Sequence, residues 1–147
     1  MSFNQGNFAA RFGAMGDEAE KQFEQWCEAQ GWKYERFGWN RPSTGMGGMS
    51  RMLRNTPDFY ADHALWEVMG MGRDGILKGL KTEKWEAMKD WNRVQRVGFF
   101  IWNSSTKRPI IVSWQRMVLI VARARRAGLR QFHDGPMYYA IELEWLE

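Results

Sequence analysis

Thr56-Pro57-Asp58-Phe59-Tyr60-Ala61-Asp62-His63-Ala64-Leu65-Trp66-Glu67-Val68-Met69 reads as a β-hairpin. Two runs rich in aromatic and apolar residues flank a short turn at Asp62-His63, and Gly70 and Gly72 are expected to end the second run. Pro57 fixes the entry of the first strand. Side chains alternate along a strand, so the step from Asp58 to Glu67 lets a short hairpin fold both carboxylates onto one face.

Working outward, the segment from Asp17 is predicted to be helical, with acids in its first turn, Phe23, Trp26 and Cys27 at helical spacing, and Gly31 as terminator. Glu20 lies one turn before Phe23 and borders the buried face, whereas Glu18 points to another face. Residues 1–15, rich in Gly, Asn and Ala with isolated Phe, sustain no period and are expected to form a flexible arm; residues 16–147 form the folded domain. Trp32 to Phe37 alternates as a strand, and Pro42 to Ser50 reads as a glycine-rich loop flanked by arginines. Downstream, Trp85, Met88 and Trp91 share one face of a helix over Thr82–Val94. Val97–Trp102 and Ile110–Val112 read as buried strands around the turn at 103–107. Ser113 caps a further helix that stops at Gly128, and Met137–Trp145 is strand-like. This order predicts an α/β single domain with a central mixed sheet flanked by helices.

The chain has 147 residues, 44% of them apolar, with nine Trp and nine Phe, enough for one core. No apolar run approaches the roughly 20 residues of a membrane-spanning helix, and the start lacks a secretory layout. The expectation is a protein with no membrane partner, in the cytoplasm, or in the host cell cytoplasm if phage-encoded. Cys27 stands alone and reads as a buried structural thiol. The net charge is +4, unevenly spread. Acids crowd residues 17–35, while Arg36 to Arg54 and Lys107 to Arg130 carry bases and no acid. Two acid-free basic segments at a pI near 9.4 suit a polyphosphate better than a membrane surface.

The order of acids carries the chemistry: a helix with Glu20, Pro-Asp at the start of a hairpin strand, and Glu67 in the strand that follows. Phosphodiester hydrolysis with Mg²⁺ needs hard oxygen ligands, which carboxylates on paired strands supply. These features resemble the PD-(D/E)xK nucleases, in particular the phage endonuclease I type of Holliday junction resolvase. The resemblance rests on the Gly16-Asp17-Glu18-Ala19-Glu20 helix ending at Gly31, Thr56-Pro57-Asp58-Phe59, Trp66-Glu67-Val68-Met69-Gly70, and the strand from Phe99 with its Ser104-Ser105-Thr106-Lys107 turn. It implies a restriction-endonuclease-like fold, Glu20, Asp58 and Glu67 as ligands of Mg²⁺ or Mn²⁺, and a homodimer that cuts branched DNA. The chain departs from the pattern where the family has lysine, two residues after the second acid, and this sequence has Met69. Methionine neither donates to a phosphoryl oxygen nor offsets its charge. Lys78, Lys81 and Lys84, at the end of the glycine-containing stretch from Gly70 to Gly79 and just beyond it, are the candidates to replace it. The alternative is a catalytically inactive relative that binds DNA or serves in virion assembly.

Arg41, Arg51, Arg54, Arg73 and Lys107 are the candidate phosphate contacts, and Trp39 a candidate for stacking on an unpaired base. His63, in the hairpin turn, and His133, beside Asp134-Gly135, have weaker claims, as solvated turn histidines. Gly70, Gly72, Gly75 and Gly79 lack the lysine-serine ending of a phosphate-binding P-loop and the strand-to-helix context of a dinucleotide fold.

Overall fold

The computed structural model describes the backbone of residues 5–38 and 48–147 and the side chains of 14–38 and 48–147. In chain order the elements are α1 (Gln5–Gln30), β1 (Tyr34–Arg36), α2 (Arg51–Arg54), β2 (Phe59–Ala61), β3 (Ala64–Met71), β4 (Ile76–Leu77) and α3 (Thr82–Val94). They continue with β5 (Val97–Asn103), β6 (Arg108–Val112), α4 (Trp114–Ala127), β7 (Arg130–Gln131), β8 (Met137–Tyr138), β9 (Ile141–Glu142) and α5 (Leu143–Leu146). The central five-stranded sheet has the order β1-β2-β3-β5-β6, in which β3 and β5 are parallel and the other neighbours antiparallel. The expected mixed sheet flanked by helices is therefore observed.

The hairpin turn is made by Asp62 and His63, both at positive φ, the left-handed pair of a two-residue loop whose twist matches its strands. β3 is buried on both faces. Leu65, Met69 and Met71 join a core beneath α3 and α4, whereas Ala64, Trp66 and Val68 join a second core with Phe23 of α1. This period of two puts Glu67 on the α3 side. α1 packs through Ala19, Phe23 and Cys27, one residue per turn along a single stripe, and Gly31 ends it at positive φ. Its start at Gln5 differs from the expected arm over 1–15. At its residue 15 the helix passes closely over the end of β3: at Gly70 an added Cβ would lie 2.8 Å from the Met15 carbonyl oxygen.

Two other expectations change. β3 runs through Gly70 to Met71, where Gly70 permits the helix contact instead of ending the strand. The apolar run Met137–Trp145 divides among β8, β9 and α5, because its backbone finds partners on separate elements: β8 pairs with β7 and β9 with β4. α2 was unforeseen; Ser50 caps it, and the Trp91 indole donates to the Met52 carbonyl at 3.0 Å, docking it on α3. No helix among the described residues is long and apolar enough to cross a membrane.

Candidate active site

β2 and β3 pair with Phe59 opposite Trp66, and continuing that register one step brings Asp58 opposite Glu67. The Asp58 backbone is fixed from both sides: its N–H donates to the Trp66 carbonyl at 3.0 Å, and its carbonyl accepts from Phe37 and Gly38 at 2.9 and 3.1 Å. Beyond this point β2 no longer covers the edge of β3. There the Asp58 carboxylate takes over, Oδ2 accepting the Val68 N–H at 2.8 Å. The resulting notch is a cavity of about 180 Å³ whose lining includes Asp58, Glu67, Lys81, Lys84 and the glycines Gly16 and Gly70.

Glu67 is 3% exposed. Its Oε1 accepts from Lys84 Nζ at 3.2 Å, and its Oε2 is buried without a hydrogen-bond partner among the described residues. Burial, followed by the neighbouring Glu67 carboxylate, holds the Asp58 carboxyl well above the usual range; the Lys84 amine and the Val68 N–H offset this in part. Lys84 is raised above its ordinary value. Burial acts downward on it, but Glu67 and Asp58 together outweigh burial. Two carboxyl groups, Glu67 buried and Asp58 half-buried, against one ammonium leave room for one more positive charge, which a proton on Asp58 supplies when no cation is bound. An unsatisfied buried polar atom costs about 1–3 kcal/mol, more for a charged one, so Glu67 Oε2 is unfavourable unless something binds it. The all-oxygen donor set fits a hard divalent cation such as Mg²⁺ or Mn²⁺, which takes one or two carboxylates and keeps several waters.

The expected residues divide clearly. Asp58, Glu67, Lys81 and Lys84 meet at the cavity. Met69 also lines it, with its side chain against Gly79 and otherwise in the core. Lys78 does not line it; its amine is 2.6 Å from Asp74. Glu20 does not line the cavity; it pairs with Arg36, whose guanidinium meets both carboxylate oxygens, at 2.8 and 3.3 Å. Consistent with this, no group of three or more His, Cys, Asp or Glu that could hold a metal forms among the described residues. Of the candidate phosphate contacts, Arg51 pairs with Asp90 at 3.2 Å and Arg54 with Glu83, so both fasten α2 to α3. Arg73 is exposed in the turn after β3, and Lys107 is exposed at positive φ between β5 and β6. Arg41 and Trp39 lie outside the described residues. His63 stays in the turn, its carbonyl accepting from the Gln95 amide, and His133 is exposed beside Asp134 at 3.5 Å. Cys27 is buried as expected; burial and then Glu24 push its thiol up to about 12.

Sequence reasoning missed Arg36. Besides gripping Glu20, it lies over the Phe59 ring at 5.4 Å, beside Asp58. No local pattern announces it, since the contact depends on how β1 crosses α1.

This fold, a mixed sheet flanked by helices, is similar to that of a solved nuclease from a fusselovirus. The TM-score is 0.51 at 12% identity, over 100% of this chain and 89% of that one. No protein-family model matches the chain, and no curated protein matches it.

Proposed function

We propose that the protein is a divalent-metal-dependent endonuclease of the PD-(D/E)xK type that hydrolyses phosphodiester bonds in DNA. The observation that carries this reading is the Lys84 amine 3.2 Å from Glu67 Oε1, with Glu67 Oε2 left unpartnered beside Asp58. The fold's likeness to a viral nuclease supports it. Asp58 and Glu67 would hold Mg²⁺ or Mn²⁺, and a cation bound there supplies Lewis-acid stabilisation of charge on a phosphoryl oxygen. Lys84 takes the part for which Met69 is unsuited. It reaches the site from the first turn of α3 instead of from β3, keeps its proton, and sets a positive charge and hydrogen-bond donors where a scissile phosphate would enter. The Val68 N–H fixes the orientation of the Asp58 carboxylate. Lys81 lines the same cavity and offers a second phosphate contact. α4, which carries Arg116, Arg123, Arg125 and Arg126 and no acid, offers sequence-independent attraction for the DNA backbone.

The finer reading is a structure-selective enzyme acting on branched DNA as a homodimer, because symmetric cutting of a two-fold junction needs two sites. The rival, an inactive nuclease-fold protein that binds DNA or serves in virion assembly, would be favoured if no amine came near the two acids. The position of Lys84 counts against it.

A labelled four-way junction and a matched linear duplex, incubated with Mg²⁺, Mn²⁺ or chelator, test the proposal. The expected result is metal-dependent cutting, faster on the junction. Equal rates on both substrates would remove the structure selectivity, and tight binding with no cutting under any metal would favour the inactive relative.

A further inference from the structure

We infer that the site takes one divalent cation per chain, and that Arg36 prevents Glu20 from completing a second cation site beside Asp58. The inference rests on the proposed metal-dependent reading and follows from counting carboxylate oxygens. Of Asp58, Oδ2 is committed to the Val68 N–H; of Glu67, Oε1 is committed to Lys84. That leaves the other oxygen of Asp58 and the buried Oε2 of Glu67, on two carboxyl groups close enough to interact directly, where a cation would take the place of a shared proton. Two converging oxygens plus water suit a single Mg²⁺ or Mn²⁺.

A second cation would need a further acid, and Glu20 is the acid that the sequence offers. Both of its oxygens are engaged by Arg36 in the forked, two-bond geometry that makes guanidinium–carboxylate pairs strong. The pair is half-buried, the side chains being 34% and 26% exposed, so water competes with it less than at an open surface. Arg36 is further held by its strand register opposite Phe59 and by its place over that ring. Its guanidinium interacts electrostatically with both Glu20 and Asp58, so a fixed positive charge already opposes a second cation shared by those two acids.

Counting bound Mn²⁺ by electron paramagnetic resonance and by calorimetry tests this without any cleavage assay. Wild type should bind one Mn²⁺ per chain, and Glu67→Gln should lose it. Glu20→Gln should keep both stoichiometry and affinity, whereas loss of an actual ligand would cost roughly tenfold or more. Arg36→Met should gain a second, weaker ion, and adding Glu20→Gln to that variant should remove it. Two ions on wild type, or an affinity loss of that size in Glu20→Gln, would overturn the inference and leave the metal-dependent reading standing. No Mn²⁺ on wild type would overturn both. A folded Arg36→Met protein that still binds one ion would overturn the role given to Arg36; if that variant does not fold, the Glu20→Gln comparison still decides whether Glu20 is a ligand.

Discussion

Lys84 and Glu67 are seventeen residues apart in sequence and belong to different elements, yet Lys84 Nζ lies 3.2 Å from Glu67 Oε1 at the bottom of a cavity that Met69 also lines. The strand that carries the second acid thus does not carry the amine that pairs with it. The helix that follows it does, reaching back over the edge of the sheet.

That arrangement makes the lysine replaceable from the strand. Lys84→Met should lower the cleavage rate by about 10²–10³, the usual effect of deleting one preorganised donor at a developing charge. Adding Met69→Lys should restore part of the rate, because position 69 opens on the same cavity. Single-turnover cleavage of the same labelled substrate by the three proteins measures this. A double variant no faster than Lys84→Met would show that position 69 cannot place an amine at the site.

Asp58 makes metal-free stability depend on pH with a defined sign. Its folded-state carboxyl is raised above the unfolded value, chiefly by burial, so the folded protein holds a proton that the unfolded chain releases. Stability from this group is therefore present below the ordinary aspartate range and is lost as pH rises toward the raised folded value. Asp58→Asn should raise the melting temperature of chelator-treated protein at neutral pH and have little effect near pH 3. Mn²⁺ should raise the melting temperature of wild type much more than that of Asp58→Asn, and its apparent affinity should weaken as pH falls, since binding must displace the Asp58 proton. Thermal melts across pH with and without metal read all three effects.

Gly70 should tolerate no side chain. A Cβ there would stand 2.8 Å from the Met15 carbonyl oxygen and 2.7 Å from its Cγ. The side chain could turn away, but the carbonyl belongs to helical backbone. Gly70→Ala is expected to destabilise by about 1–3 kcal/mol, the usual cost of overpacking. Gly16→Ala, which meets nothing within 4 Å, should be close to neutral for stability. Denaturant unfolding of the two variants supplies the comparison.

Where local periodicity and caps coincide, the sequence is a sufficient guide. The hairpin follows from alternation around Asp62-His63, and α3 occupies Thr82–Val94 as its Trp85 and Met88 stripe requires. The caps Ser113 and Gly128 bound α4 as expected. Asp58 and Glu67 were legible for the same reason, because hairpin register is a local property. Lys84 was legible only as one of three, since residues 78, 81 and 84 differ in tertiary position and not in local pattern. The fate of Glu20 was hidden altogether. Its partner Arg36 lies sixteen residues away on a strand of three residues, and nothing in either segment states that they meet. The C-terminal run misled because apolar strand-like residues look alike whether one neighbour or several receive their hydrogen bonds.

The most direct test of the proposed active site is the rate of Mn²⁺-dependent DNA cleavage by Asp58→Asn, Glu67→Gln and Lys84→Met against wild type, with folding checked by thermal melts and DNA affinity measured alongside. Each variant should remain folded, bind DNA nearly as well as wild type, and lose about two orders of magnitude or more in rate. Folded variants that cut at the wild-type rate would place the chemistry elsewhere and contradict the assignment.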